Sequence, residues 1–223
     1  MSLDPTPVSD RARRETRFWS DVAPSYDSWI EAAFEDQYIT FKDHMAQAVG
    51  PEDRVLEVGS GTGNISLHIA PHVGSVVGVD ISPEMVKVAR EKASGRGFGN
   101  VEFQVGDGYD LPFEDGSFDK VVCVNVLQTM KAPKRAIREG LRVLREGGEM
   151  ISVTYAYGDS SVWETVKLAR WVVKYGKPAY WSNLKAVDLA RLFAEEGFDI
   201  VEDVVVWRSP RVVLLRARRP VIG

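Results

Sequence analysis

The chain has 223 residues, 44% of them hydrophobic and 27% charged, which suits one globular domain of ordinary size with a small appendage. Its 28 basic and 32 acidic residues leave a net charge of −4, which gives no support to a polyanion partner. The lone cysteine, Cys123, excludes an intramolecular disulfide framework and a zinc site built from several thiolates.

Met1 to Glu15 is polar and of mixed charge, without the apolar stretch of a signal peptide, and no run approaches the ~18 apolar residues that cross a bilayer. A cytoplasmic protein with no transmembrane segment is expected. Arg11 to Met45 intersperses charged residues with Phe18, Trp19, Ile30, Phe34 and Phe41 and reads as helical, broken at Pro24. Residues 1–48 are therefore set apart as an N-terminal helical segment preceding a domain of residues 49–223.

Within that domain short β-branched runs alternate with helices. Arg54–Val58, Ser75–Asp80, Val101–Val105, Lys120–Asn125 and Glu149–Thr154 read as strands; Asn64–Ala70, Pro83–Lys92 and Pro133–Leu144 read as helices. Val-rich strands spaced in this way predict a parallel sheet covered on both faces. Asp107 to Phe118, with its Pro, Asp and Gly residues, is expected as a loop crossing the top of the sheet. Val162–Lys174 and Leu184–Glu196 have helical patterns, the second stopped by Gly197. Ile200–Trp207 and Arg211–Arg218, joined only by Ser209 and Pro210, predict an antiparallel hairpin at the end of the sheet.

The run from Val55 through Gly59, Ser60, Gly61 and Gly63 carries a buried strand into three glycines and a helix. Glycine lets a ligand lie against bare main chain, and free N–H groups at the helix start favour a ligand carboxylate. The dinucleotide fingerprint G-x-G-x-x-G would need glycine where Asn64 stands, and no G-K-[ST] follows, so neither a dinucleotide site nor a P-loop fits. Glu57 stands two residues before the first glycine, and Asp80 ends the next strand. A carboxylate there can accept both hydroxyls of a ribose; Ser82 followed by Pro83 already caps the next helix, which leaves Asp80 little structural work. Asp107, between Gly106 and Gly108 at the third strand's end, can reach an adenine amino group. Three acids at the carboxyl ends of three successive strands lie where open α/β sheets bind ligands.

These residues resemble the class I S-adenosylmethionine-dependent methyltransferase superfamily, within it the branch holding the ubiquinone/menaquinone C-methyltransferases and many small-molecule methyltransferases. The matching runs are Leu56 to Gly63, Val79 to Met85, Gly106 to Asp119 and Arg142 to Gly148, together with Ala23 to Asp27 near the start. The resemblance implies a Rossmann-like α/β fold. Its seven-stranded sheet is mostly parallel with an antiparallel last strand, helices lie on both faces, and residues 1–48 form an N-terminal helical lid. It implies S-adenosyl-L-methionine as cofactor and S-adenosyl-L-homocysteine as product. By the resemblance, Glu57, Gly59, Ser60, Gly61 and Gly63 hold the methionine moiety, joined by the main chain around Asn125. Asp80 takes the ribose with Ile81 and Met85 alongside, Asp107 and Gly108 take the adenine, and Tyr26 closes on the cofactor.

The acceptor is less legible. In-line displacement at a sulfonium methyl can proceed through positioning and exclusion of water, and no catalytic dyad is visible. Candidates for a catalytic role are Tyr26, whose ring face can favour a sulfonium, and His44 as a base. Tyr155, Tyr157, Trp163, Trp171, Tyr175, Tyr180 and Trp181 fall in an aromatic-rich insertion at about 155–183. They read either as a lid over a hydrophobic or aromatic acceptor, or as a helix packing Trp163, Val166, Ala169 and Val173 on the sheet. Arg208, Arg211, Arg216, Arg218 and Arg219 either draw an acidic partner or guard an edge hairpin. The leading expectation is methyl transfer to a small molecule by a monomer or homodimer, with no metal and no nucleic acid. A protein or peptide methyltransferase and a non-catalytic cofactor-binding module are the alternatives.

Overall fold

The computed structural model describes residues 9–221; among them, the side chains of residues 33, 167, 168, 170, 171, 174 and 175 lie outside the description. Trp171 and Tyr175, singled out above, are thus outside the described side chains.

Strands β1 (Arg54–Val58), β2 (Ser75–Asp80), β3 (Val101–Val105), β4 (Phe118–Val124), β5 (Leu144–Tyr155), β6 (Asp199–Arg208) and β7 (Arg211–Arg218) form one sheet in the order β3-β2-β1-β4-β5-β7-β6. The pairings from β3 to β5 are parallel, while β7 runs antiparallel to both β5 and β6. This is the Rossmann-like seven-stranded sheet with the reversed last strand, as expected. The chain order reverses between β1 and β4, and that switch point opens a crevice at the strands' carboxyl ends.

Strand alternation divides the core. Leu56, Val58, Val121 and Cys123 turn to one face, where they meet Ile137 of α5 (Pro133–Val143) and Phe193 of α7 (Ala186–Glu195). Val55, Val122, Val124 and Ile151 turn to the other and pack on Phe41 and Met45 of α2 (Tyr26–Ala48). The helix after β1 is shorter than the expected Asn64–Ala70: α3 spans Ser66–Ile69, and Pro71 draws the chain into a tighter turn over 70–72.

Ser9 caps α1 (Asp10–Val22), its side chain accepting from Ala12 N, and Pro24 sits in the turn between α1 and α2. Helix α1 lies over the carboxyl edge of the sheet. Thr16 Oγ1 donates to the carbonyl of Ile81 at 3.3 Å, and Ser20 and Ser82 share a hydrogen bond at 3.0 Å. Ser82 also caps α4 (Pro83–Arg96) by accepting from Met85 N.

Helix α6 (Val162–Tyr175) corrects one alternative. Trp163 is 78% exposed and Val173 87%, with Val166 also exposed, so the stripe expected to pack on the sheet faces solvent instead. Most of the C-terminal arginines are used internally. Arg216 and Arg218 pair with the buried Glu149 at 3.1 and 2.8 Å, Lys120 pairs with it at 2.8 Å, and Arg211 pairs with Asp159. Arg219 donates to the carbonyls of Leu141 and Arg142. No helix of the described residues is long and apolar enough to cross a membrane.

Candidate functional site

At the carboxyl ends of β1, β2 and β4, under α1, lies a cleft enclosing about 660 Å³ of space that is partly open to solvent. Its wall includes Tyr26, Gly59, Gly61, Asp80, Ile81, Met85, Asp107, Gly108 and Asn125 from the sequence reading. Glu15, Trp19, Val126, Thr129 and Met130 also line it and were not anticipated as ligand contacts, because nothing local marks them.

The glycine loop makes room at two positions. Gly59 has φ 71°, and a Cβ there would sit 2.3 Å from Val126 Cγ2, so no side chain fits. Gly61, at φ 53°, holds a left-handed conformation that favours glycine and turns its bare Cα towards the Tyr26 ring, which a Cβ would meet in ordinary contact at 3.7 Å. Gly63 plays a different part. It lines none of the cavities described here, and its absent Cβ admits the Phe103 ring, which would be 2.7 Å away.

Asp80 has more structural work than its sequence context suggested. Its Oδ2 accepts from Gly61 N at 2.8 Å and its Oδ1 from Ser82 N at 2.9 Å, tying the glycine loop to the start of α4. Burial raises its carboxyl to about 6, while the N–H donors of Ser82 and Gly61 pull the other way. The side chain nevertheless borders the cavity.

The far end of the cavity is acidic. Asp107 Oδ1 accepts from Tyr109 N at 3.0 Å, and its other oxygen is paired with Arg11 of α1. Arg11 also pairs with Glu15 and lies 4.3 Å above the Tyr109 ring. Burial raises the pKa of Glu15 against the pull of Arg11, and its Oε1 is buried with no hydrogen-bond partner.

At the near end, Glu57 turns away from the main cavity and borders a smaller one of about 270 Å³ with Tyr26, Tyr38, Ser60 and Gly61. Its Oε2 accepts from Ser66 N at 2.9 Å and from the Ser66 hydroxyl, so the carboxyl holds the first turn of α3. Burial raises it to about 8, with the Ser66 bonds opposing. Ser60 Oγ is buried there without a partner. Asp27 ties the start of α2 to the glycine loop and α4: it accepts from Thr62 Oγ1 at 2.6 Å, Asn64 Nδ2 at 2.8 Å and Lys92 Nζ at 2.9 Å. Burial would raise its pKa, but these three donors more than offset that and lower it.

A second cavity of about 540 Å³ adjoins the first and shares Trp19, Tyr26, Asn125 and Thr129 with it. Its wall is a chain of rings in contact. Trp19 meets Tyr26 at 6.5 Å between centroids, Tyr26 meets Trp29 at 5.5 Å, and Trp29 meets Phe34 at 5.4 Å, each edge to face. Phe34 meets Tyr155 at 6.0 Å, Tyr155 stacks on Tyr157 at 5.3 Å, and Tyr157 meets Trp181 at 4.8 Å. Asn125 stands between the cavities at φ 59°, a left-handed conformation that asparagine tolerates better than most residues. Its Oδ1 is buried and makes no hydrogen bond of good geometry, with the Tyr38 hydroxyl close by.

Of the remaining candidates, His44 lines none of these three cavities, and Trp163 stands in solvent. Tyr180 lies beside Lys131 rather than in the aromatic wall. Tyr38, Gln128 and Pro178 join the second cavity without any motif having pointed to them.

The methyltransferase domain family matches residues 56–152. A phosphatidylethanolamine N-methyltransferase of Cereibacter sphaeroides is 33% identical over 74% of this chain and 80% of its own. A demethylmenaquinone methyltransferase of Renibacterium salmoninarum is 33% identical over 66% of this chain and 61% of its own. The chain spans from 54% to 80% of the lengths of the first curated relatives it matches. Among solved structures, the [4+2]-cyclase SpnF superposes with TM-score 0.77 at 21% identity, covering 97% of this chain and 98% of that one, which shows a shared fold and no shared chemistry. With its glycine loop, its acidic strand ends and its reversed last strand, the chain belongs to the class I S-adenosylmethionine-dependent methyltransferases and resembles their ubiquinone/menaquinone branch.

Proposed function

We propose that the protein moves a methyl group from S-adenosylmethionine to a small-molecule acceptor held in the aromatic cavity. The observation that carries this reading is the shared wall. A cavity bearing the cofactor motifs adjoins, at Trp19, Tyr26, Asn125 and Thr129, a second cavity walled by aromatic rings.

The residues fit the cofactor. The unpartnered Glu15 Oε1 beside Asp107 suits a base with an amino group, Asp80 suits a ribose diol, and the bare backbone at Gly59 and Gly61 leaves room for the chain beyond. The unpartnered Ser60 Oγ and the main chain at Asn125 suit the polar groups of an amino acid. When bound, S-adenosylmethionine supplies an electrophilic methyl on a sulfonium and leaves as the neutral thioether S-adenosylhomocysteine. The chain's own part is to orient and to exclude water. In this reading the described part of the N-terminal segment, residues 9–48, acts as a lid fastened by Arg11 and Asp27, and the segment at about 155–183 supplies the outer wall through Tyr155, Tyr157 and Trp181. The names of the two relatives carry a lipid amine and a quinone, so both belong to the range of acceptors to be tried.

The test is to incubate the protein with methyl-labelled S-adenosylmethionine and a cell extract containing soluble and lipid fractions, then to partition the label. Transfer of label that disappears in Asp80→Ala is expected. Cofactor binding without any Asp80-dependent transfer would instead favour a non-catalytic module, and label in polypeptide would favour a protein acceptor.

A further inference from the structure

Resting on the reading of the aromatic cavity as the acceptor site, we propose that the acceptor is a secondary or tertiary amine on an apolar body, which attacks as the free base and leaves as an ammonium ion held by the ring faces. The cavity's own chemistry carries this. Among the described residues its wall bears no carboxylate, histidine, lysine or arginine. Its ionisable groups are phenols, those of Tyr26, Tyr38, Tyr155 and Tyr157. Burial pushes every one of the four above the ordinary tyrosine value, so none stands ready as an anion near neutral pH.

An alcohol or a phenol must lose a proton to become a good nucleophile, and it needs a group to take that proton. Among the described residues this wall offers none. An amine already carries its lone pair once it arrives uncharged. The nitrogen pair forms the new C–N bond as the C–S bond breaks, and the C–S pair stays with the departing thioether. The positive charge passes from sulfur to nitrogen. A tertiary amine ends as a quaternary ammonium; a secondary amine gives an ammonium that loses its proton to water on release.

What the wall supplies is what a nascent cation needs. Tyr155, Tyr157 and Trp181 line the cavity as a run of rings in contact, and a cation held against aromatic rings gains more where water is excluded. Gln128 is 3% exposed, and its Oε1 is buried without a partner. An amide oxygen in that state accepts an amine N–H or faces a positive charge, and it costs free energy if left bare. Among the described residues, a carboxylate- or phosphate-bearing acceptor would meet no cation on this wall.

Binding tests the idea apart from turnover. With S-adenosylhomocysteine present, phenyltrimethylammonium and its neutral isostere tert-butylbenzene are titrated by calorimetry. The cation is expected to bind at least about tenfold more tightly, with the preference falling towards parity in Tyr157→Leu and in Trp181→Leu. Equal or tighter binding of the neutral isostere overturns the proposal. Turnover gives the second readout: labelled methyl should pass to N,N-dimethylbenzylamine and not to p-cresol, with a rate that rises about tenfold per pH unit below the amine's pKa. Label on phenolic, carbon or thiol acceptors alone, in a protein whose transfer still depends on Asp80, overturns the amine and leaves methyl transfer standing. Failure of S-adenosylhomocysteine to bind at all removes both readings.

Discussion

The two adjoining cavities are built in different ways. The cavity at the strand ends is built around a glycine loop at positive φ, with carboxylates engaged by main-chain N–H groups. The cavity beside it is walled by rings drawn from α1, α2, the end of β5 and the segment before α7. A site built around such a loop tolerates few substitutions and suits one ligand. A ring-built site can be re-aimed by changing single side chains. The family's shared cofactor and the different acceptors in its relatives' names accord with that division.

If the division holds, damage to one cavity should leave the other working. The largest effect is expected from Gly59→Ala, whose Cβ meets Val126 at 2.3 Å in a backbone conformation that already costs alanine about 1–2 kcal/mol. Cofactor binding should fall below detection, while titration of phenyltrimethylammonium into the folded variant should still show a site. Next is Asp80→Ala. Loss of two charge-assisted bonds of about 1.5–3 kcal/mol each should weaken S-adenosylmethionine by about a hundredfold or more in calorimetry. Simultaneous loss of ammonium binding in that variant would break the comparison.

Asp27→Ala probes the fastening between α2 and the glycine loop. Removing the acceptor of three hydrogen bonds should weaken cofactor about tenfold and speed amide exchange in α1 and the first turns of α2. Unchanged exchange would mean that the lid is held elsewhere. Trp181→Leu should change cofactor affinity by less than about twofold while raising the acceptor's KM severalfold; an equal loss of both would show that the cavities are one unit.

The smallest effect concerns pH. Glu57 sits at about 8 in the fold against 4.5 when unfolded, so between those values the folded state holds a proton that the unfolded chain releases. Its contribution is therefore fully present below pH 4.5 and is lost as pH rises towards 8. Melting of the cofactor-free protein should drop by a few °C across that window and flatten in Glu57→Gln. Glu149 acts in the opposite sense. Burial alone would raise it, but Lys120, Arg218 and Arg216 hold it at about 2, so its contribution is lost only as pH falls below 4.5.

The same division explains what the sequence could show. The cofactor motifs are contiguous, and Tyr26, Asp80, Asp107 and Asn125 fall together because each ends a strand or opens the lid. The strands and the closing hairpin were legible for the same local reason, and the reversed last strand came with the family resemblance. The contact of Glu57 with Ser66 and the close approach of Phe103 to Gly63 are tertiary features that spacing does not encode. Glu15, Gln128 and Thr129 carry no local signal at all. The aromatic run after β5 was visible as a run, yet only packing could separate Tyr157 and Trp181, which face inward, from Trp163, which does not.

The most direct measurement is a crystal structure with S-adenosylhomocysteine and phenyltrimethylammonium bound together. The account predicts the thioether sulfur at the shared wall of Trp19, Tyr26, Asn125 and Thr129, with the ammonium across it against Tyr157 and Trp181. A sulfur turned away from that wall, or an ammonium outside the ring cavity, would contradict it.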